Sequence, residues 1–268
     1  MRIKTAFQTL KDRQEAGLIA YLSAGDPDLK TTGLLVERLA ENGVDLIELG
    51  VPFSDPVADG PVIQRASQRA LQAGTNLLKI LDLVAQLRAK GVSLPILLMS
   101  YYNPILRQGL VTATELLATA GVDGLIVPDL PLEESMELRE RLRQKELSLI
   151  YLLAPTSSTV RVRKIAQQAQ GFIYCVSLTG VTGERDQLPE ELPHFLQRVS
   201  RETTLPLAVG FGLSRPEQMP LIASLADAAV VGSAFVSLIE QNPEDPITPV
   251  CNLAASLKEG LGRVRGEG

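Results

Sequence analysis

Asn42-Gly-Val-Asp-Leu-Ile-Glu-Leu-Gly50 joins the end of one helix to the start of a buried strand. The residues ahead of it carry an apolar stripe at Val36, Leu39 and Ala40, the i, i+3, i+4 spacing of one helix face. A glycine after that stripe with a valine behind it is a left-handed helix stop with an apolar anchor. The same join recurs as Lys90-Gly-Val-Ser and as Ala120-Gly-Val-Asp. One stop and one strand start, used repeatedly, predict a repeated βα unit rather than two unlike domains.

Working outward from that unit, strands are expected at LIAYLS from Leu18, DLIELG from Asp45, PILLMS from Pro95 and GLIVP from Gly124. Four more follow at SLIYLL from Ser148, FIYCVS from Phe172, PLAVG from Pro206 and AAVVG from Ala228, eight in all. These runs are nearly continuous in Ile, Leu and Val, as in a parallel sheet covered on both faces. Between them lie further helical stripes, such as Leu77, Ile80, Leu81, Val84 and Val162, Ile165, Ala166, Ala169. Eight such units close most simply into a (β/α)8 TIM barrel. The expectation is one α/β domain over residues 1–268, with an extra N-terminal helix and a short extra helix after the eighth strand. A doubly wound open sheet is the alternative, but no G-x-G-x-x-G follows the first strand, and no Pro/Gly/Ser-rich linker divides the chain.

Composition narrows the chemistry. The chain has 268 residues, 45% of them hydrophobic, and Lys+Arg 26 against Asp+Glu 31 gives a net charge of -5. There is no basic footprint with which to neutralise nucleic acid phosphates. One histidine, His194, and two cysteines, Cys175 and Cys251, supply neither a zinc site nor a CxxC pair, so no metal is expected and the thiols read as packing residues. His194 falls at the start of a surface helix, where a solvent-facing side chain is expected. No apolar run reaches the roughly 18 residues of a membrane span, and the N-terminus becomes charged before a secretory core develops, so a cytoplasmic protein is expected.

The chemistry concentrates in loops at the C-terminal ends of strands. Alternation puts Glu48 on the same side of its strand as Leu46, opposite Ile47 and Leu49. If that side is the barrel interior, desolvation raises its pKa, as suits a group that both gives and takes protons; a buried structural ion pair is the competing reading. The following loop, Gly50-Val-Pro-Phe-Ser-Asp-Pro-Val-Ala-Asp-Gly-Pro61, is stiffened by Pro52, Pro56 and Pro61. It adds Asp55 and Asp59, and two carboxylates in unlike surroundings can divide acid/base and ionised roles. Asp59-Gly60 is, alternatively, plain turn chemistry. Gly210-Phe-Gly212 after the seventh strand and Gly232-Ser233 after the eighth, with Ser233 as N-cap, match the place where barrels hold phosphate. The sixth loop, from Ser177 through Gly180 and Gly183 to Asp186, is long, small and polar; it reads as a lid or as a surface loop.

The run from Glu48 through Asp55, Asp59 and Pro61 to Gln64 closely resembles the signature of the tryptophan synthase α subunit family. The resemblance extends through Gly25-Asp-Pro27, Met99-Ser-Tyr-Tyr-Asn-Pro104, Val127-Pro-Asp-Leu-Pro131, Ala154-Pro-Thr156, Gly180-Val-Thr-Gly183, Gly210-Phe-Gly212 and Gly232-Ser233, hence over essentially the whole chain. It implies reversible cleavage of indole-3-glycerol phosphate to indole and glyceraldehyde 3-phosphate, without a cofactor. Carried onto this sequence, Glu48 is the acid/base and Asp59 accepts from the indole N–H. Gly183, Gly212, Gly232 and Ser233 hold the phosphate, Tyr21 and Tyr174 flank the indole, and Thr182 orients Asp59. The resemblance also implies a β subunit as partner, in a tetramer of two α and two β chains. Pro52, Phe53, Asp55, Asn103, Pro104, Asp129 and Pro131 are the expected exposed docking residues. A stand-alone lyase releasing free indole and a mainly regulatory phosphate-binding subunit are the alternatives.

Overall fold

The computed structural model describes residues 2–176, 190–210 and 212–262. Its first half runs α1 (Arg2–Arg13), β1 (Gly17–Ser23), α2 (Leu29–Glu41), β2 (Leu46–Gly50), α3 (Pro61–Gln72), α4 (Leu77–Ala89), β3 (Ile96–Met99), α5 (Tyr102–Leu106), α6 (Leu110–Ala120) and β4 (Gly124–Ile126). The second half runs α7 (Met136–Gln144), β5 (Ser148–Leu153), α8 (Thr159–Ala166), β6 (Ile173–Val176), α9 (Leu192–Ser200), β7 (Leu207–Gly210), α10 (Met219–Leu225), β8 (Ala228–Val231), α11 (Ser233–Gln241) and α12 (Ile247–Leu261). The strands pair in parallel in chain order, and β8 closes onto β1. Each falls within a residue or two of the run expected from sequence, and the (β/α)8 barrel is the observed fold.

The repeated joins have one geometry. Gly43, Gly91 and Gly121 have φ of 85°, 90° and 83°. The valine after each donates its N–H back to a helix carbonyl: Val44 to Leu39, Val92 to Leu87 and Val122 to Leu117, all at 3.1 Å. That six-to-one bond closes a Schellman motif, which satisfies a carbonyl the helix would leave bare and aims the chain back into the sheet. The aspartates that follow two of these valines do a second job. Asp45 accepts from the N–H of Leu18 at 2.8 Å and Asp123 from that of Ile96 at 2.9 Å, so each ties the start of its own strand to the start of the preceding one.

Two apolar layers result from the strand alternation. Ile47, Leu49, Leu98 and Cys175 face outward and pack under the helices. Ile19, Leu46, Leu97, Ile126, Ile150, Phe172, Ala208 and Val230 face inward. Helix α1 buries Ile3, Phe7 and Leu10 against this inner set, with the Phe7 and Phe172 rings 5.5 Å apart. It therefore plugs the N-terminal mouth, and the barrel interior is reached from the C-terminal ends of the strands.

Candidate active site

Leu46 belongs to the inner layer and Ile47 to the outer one, so alternation turns Glu48 into the barrel, in register with Tyr21 on β1 and Leu97 on β3. Only 1% of Glu48 is exposed, and neither carboxyl oxygen has a hydrogen-bond partner among the described residues. Among the described residues no cation pairs with it. Burial, and secondarily the charge of Asp59, push this carboxyl up to about 8, so at neutral pH it holds its proton. A protonated carboxyl with neither oxygen bonded among the described residues can both donate and accept at this mouth.

Asp59 reaches the same mouth from the β2–α3 loop. Its N–H donates to the Pro56 carbonyl at 3.0 Å, and its own carbonyl accepts from Gln64 Nε2 at 2.9 Å. The Tyr101 hydroxyl donates to Asp59 Oδ2 at 3.2 Å and accepts from the Ala58 N–H at 2.8 Å. Phe53 stacks on Tyr101 with ring centroids 5.1 Å apart. Burial raises Asp59 to about 6 while the Tyr101 hydrogen bond opposes the rise. At neutral pH the pair thus holds one protonated and one ionised carboxyl group. Tyr101 was not among the expected site residues; its place just past the C-terminal end of β3 was the available signal.

Tyr21 and Tyr174 line the space beside Glu48. Both phenols are pushed up in pKa by desolvation first; the Asp59 and Glu48 charges add to this at Tyr21, and those of Glu48 and Tyr21 at Tyr174. Each ring leans over a glycine. A Cβ on Gly50 would stand 2.1 Å from the Tyr21 hydroxyl, and one on Gly210 would stand 2.7 Å from the Tyr174 ring. Bare backbone at these two positions is what lets large aromatic rings fill the mouth beside the carboxyl groups. Tyr21 and Asp59 share a small pocket with Met99, Ser100 and Pro128.

A second corner adjoins this one. Gly232 caps α11, and a Cβ there would lie 3.2 Å from Tyr21 Cβ. Ser233 is 9% exposed and is the first helical residue, so the N-cap expected at Ser233 falls instead on its neighbour Gly232. The first N–H groups of α11 have no intrahelical acceptor and point out of its N-terminus, with the favourable end of the helix dipole behind them. Gly212 stands beyond β7 with φ 68°. Thr182 and Gly183 lie outside the described residues, as does the remainder of the sixth loop from 177 to 189.

Comparison with known proteins decides the family. The family model described as "Tryptophan synthase alpha chain" matches residues 7–261. The chain belongs to the tryptophan synthase alpha chain family. It is 47% identical to the tryptophan synthase alpha chain of Trichormus variabilis, over 97% of this chain and 98% of that one. With the alpha chain of Carboxydothermus hydrogenoformans it shares 51% identity over 89% of each. Among solved structures, tryptophan synthase subunit alpha from Legionella pneumophila superposes with TM-score 0.90 at 38% identity, covering 97% of this chain and 98% of that one. Mycobacterium tuberculosis tryptophan synthase does so with TM-score 0.91 at 33% identity, covering 98% and 99%. As an alpha-chain enzyme this protein is a lyase of tryptophan biosynthesis, and the family implies a β-subunit partner.

On the alpha-chain scaffold the residues expected to dock a partner differ in exposure. Asp55, Asn103, Asp129 and Pro131 are exposed, while Phe53 and Pro104 are half-buried. Pro52 is a correction: it is buried, because the chain leaves β2 still under the neighbouring strand ends, with the preceding Val51 N–H bonded to the Met99 carbonyl at 2.8 Å. Asp129 Oδ1 accepts from the Tyr102 N–H at 2.9 Å and so joins the third and fourth loops into one rim. His194 is exposed on α9. Cys175 and Cys251 are buried and free, and desolvation pushes the Cys175 thiol up to about 12, which leaves it inert. Among the described residues no helix is long and apolar enough to cross a membrane.

Proposed function

We propose that this chain cleaves indole-3-glycerol phosphate to indole and glyceraldehyde 3-phosphate and passes the indole to a β subunit in a tetramer of two α and two β chains. The observation that carries the reading is the buried Glu48 carboxyl, without a hydrogen-bond partner among the described residues, beside a half-buried Asp59. Glu48 gives its proton to C3 of the indole ring, and the positive charge that results spreads to the ring nitrogen. The ionised Asp59 accepts the hydrogen bond of that N–H and offsets the charge. Glu48, now a carboxylate, takes the proton of the glycerol hydroxyl next to the ring. The oxygen's electron pair forms the aldehyde carbonyl, the carbon–carbon bond breaks, and its pair returns to the ring. One proton is given and one is taken, so the acid is restored.

The corner formed by Gly212, Gly232 and Ser233 suits the phosphate, with Gly183 as a fourth group, and Thr182 orients Asp59. Tyr21 and Tyr174 flank the ring. Because indole is small and apolar, it is kept only if it leaves through a covered exit, and the rim of exposed loop residues around the mouth is where a partner would cover it. Purified chain should release indole from indole-3-glycerol phosphate slowly alone and faster with a β subunit. Failure to cleave in both conditions would overturn the reading, and equal rates with no β-subunit binding would favour a stand-alone lyase.

A further inference from the structure

A ladder of charged side chains on the flank of the barrel takes no part in the chemistry above. Asp26, in the loop after β1, is 1% exposed and receives both prongs of Arg69 on α3: Nε to Oδ1 and Nη2 to Oδ2, each at 2.8 Å. The remaining prong, Arg69 Nη1, donates to Oε1 of Glu240 on α11 at 2.7 Å. Arg65, one turn earlier on α3, forks onto the same carboxylate, Nε to Oε1 at 2.8 Å and Nη2 to Oε2 at 2.7 Å. Two helices and one loop are thereby fixed to each other by planar, directional bonds.

The two helices are those that begin at the two ends of the proposed substrate. Helix α3 starts at Pro61, immediately after Asp59-Gly60, and α11 starts at Ser233, in the corner assigned to phosphate. Between them Ile63 and Ala66 pack on Val236. Apolar contacts of that kind are non-directional and tolerate a slide along the helix axis, whereas bidentate forks do not. The buried Asp26–Arg69 fork anchors the ladder, while its outer members are open to solvent, Arg65 at 51% exposure and Glu240 at 30%, so screening weakens the pull of that end but leaves its fork geometry directional. We infer that Arg69 and Glu240 are positioning residues that hold the span between Asp59 and the N-terminus of α11 at the length of the substrate, from its ring to its phosphate. The inference rests on the reaction proposed above.

A ruler acts only on ligands that touch both ends. The test measures dissociation constants of the full chain for indole alone, for glycerol 3-phosphate alone, and for an indole joined through a three-carbon chain to phosphate. In Glu240→Gln, which leaves the Asp26–Arg69 pair intact, the two fragments should bind within about twofold of the parent. The joined ligand should weaken by about tenfold to a hundredfold, the loss expected when an angstrom-scale misplacement spoils a two-ended fit. Turnover should fall with it, while the retained fragment affinities show that the fold and both end sites are intact. Arg69→Lys, which keeps the charge beside Asp26 but cannot fork, should shift binding in the same direction, and Arg65→Lys less so. Equal losses for the fragments and the joined ligand, or none for any, would overturn the inference while the proposed reaction stands. Failure of the parent chain to bind glycerol 3-phosphate would overturn the phosphate corner and the inference with it.

Discussion

Tyr101 donates its hydroxyl proton to Asp59 Oδ2 at 3.2 Å while its own hydroxyl oxygen accepts from the Ala58 N–H at 2.8 Å, so a single phenol ties the carboxylate of one loop to the end of the neighbouring strand. A donor on the ionised form favours that form, and this bond works against the burial that lifts Asp59 to about 6.

Tyr101→Phe should therefore raise the Asp59 pKa. The acid limb of the kcat/KM profile should move to higher pH, with the largest loss of rate near pH 6 and a smaller one on the plateau. A profile whose acid limb stays in place would mean that Tyr101 only packs against Phe53.

The parent chain should be most active in the window between about 6, where Asp59 ionises, and about 8, where Glu48 loses its proton. Glu48→Gln should lose activity by about 100-fold to 10,000-fold, the range for a positioned acid/base, and should still fold and bind ligand. Near-normal turnover in this variant would remove Glu48 from the mechanism.

Stability should respond to the same residue in the opposite sense. Folded Glu48 keeps its proton up to about 8 against an ordinary value of 4.5, so the folded state binds more protons than the unfolded one across that interval. Stability is then greatest below the ordinary value and declines as pH rises toward the folded one, by about 1.4 kcal/mol per pH unit at most. Glutamine has no proton to lose. Melting curves at pH 5 and pH 9 should show the variant gaining on the parent at the higher pH; a constant difference would contradict the burial argument.

Gly212→Val should weaken glycerol 3-phosphate binding severalfold and leave indole binding unchanged. The native φ of 68° disfavours any branched side chain, and the added bulk blocks backbone approach to the anion. Isothermal titration with both fragments checks it, and a phosphate ester located elsewhere in a soaked crystal would refute it.

Asp55→Ala should reduce activation by a β subunit while leaving the slow intrinsic reaction nearly intact. Its carboxylate is exposed and accepts from the Ser54 hydroxyl beside it, on a surface where a basic partner residue can reach it. Unchanged activation in a titration with the β subunit would take Asp55 out of the interface.

Periodicity determined which residues would be strand, which helix, and that Glu48 shares a side with Leu46, because alternation and the helix repeat are properties of the local chain. The recurrent Gly-Val stop was equally local, since one left-handed residue and one six-to-one bond complete it. The motif strings carried the family and named the candidate site residues. Local reading stopped at relationships between distant segments. That Tyr101 bonds Asp59 from 42 residues away, that Pro52 is buried, and that Arg69 reaches both Asp26 and Glu240 depend on which elements the closed barrel brings side by side. Even the surroundings of the Glu48 carboxyl are visible only in three dimensions. Sequence shows that Glu48 shares a side with Leu46, but that this side is the interior, and what surrounds the carboxyl there, are facts about the closed barrel.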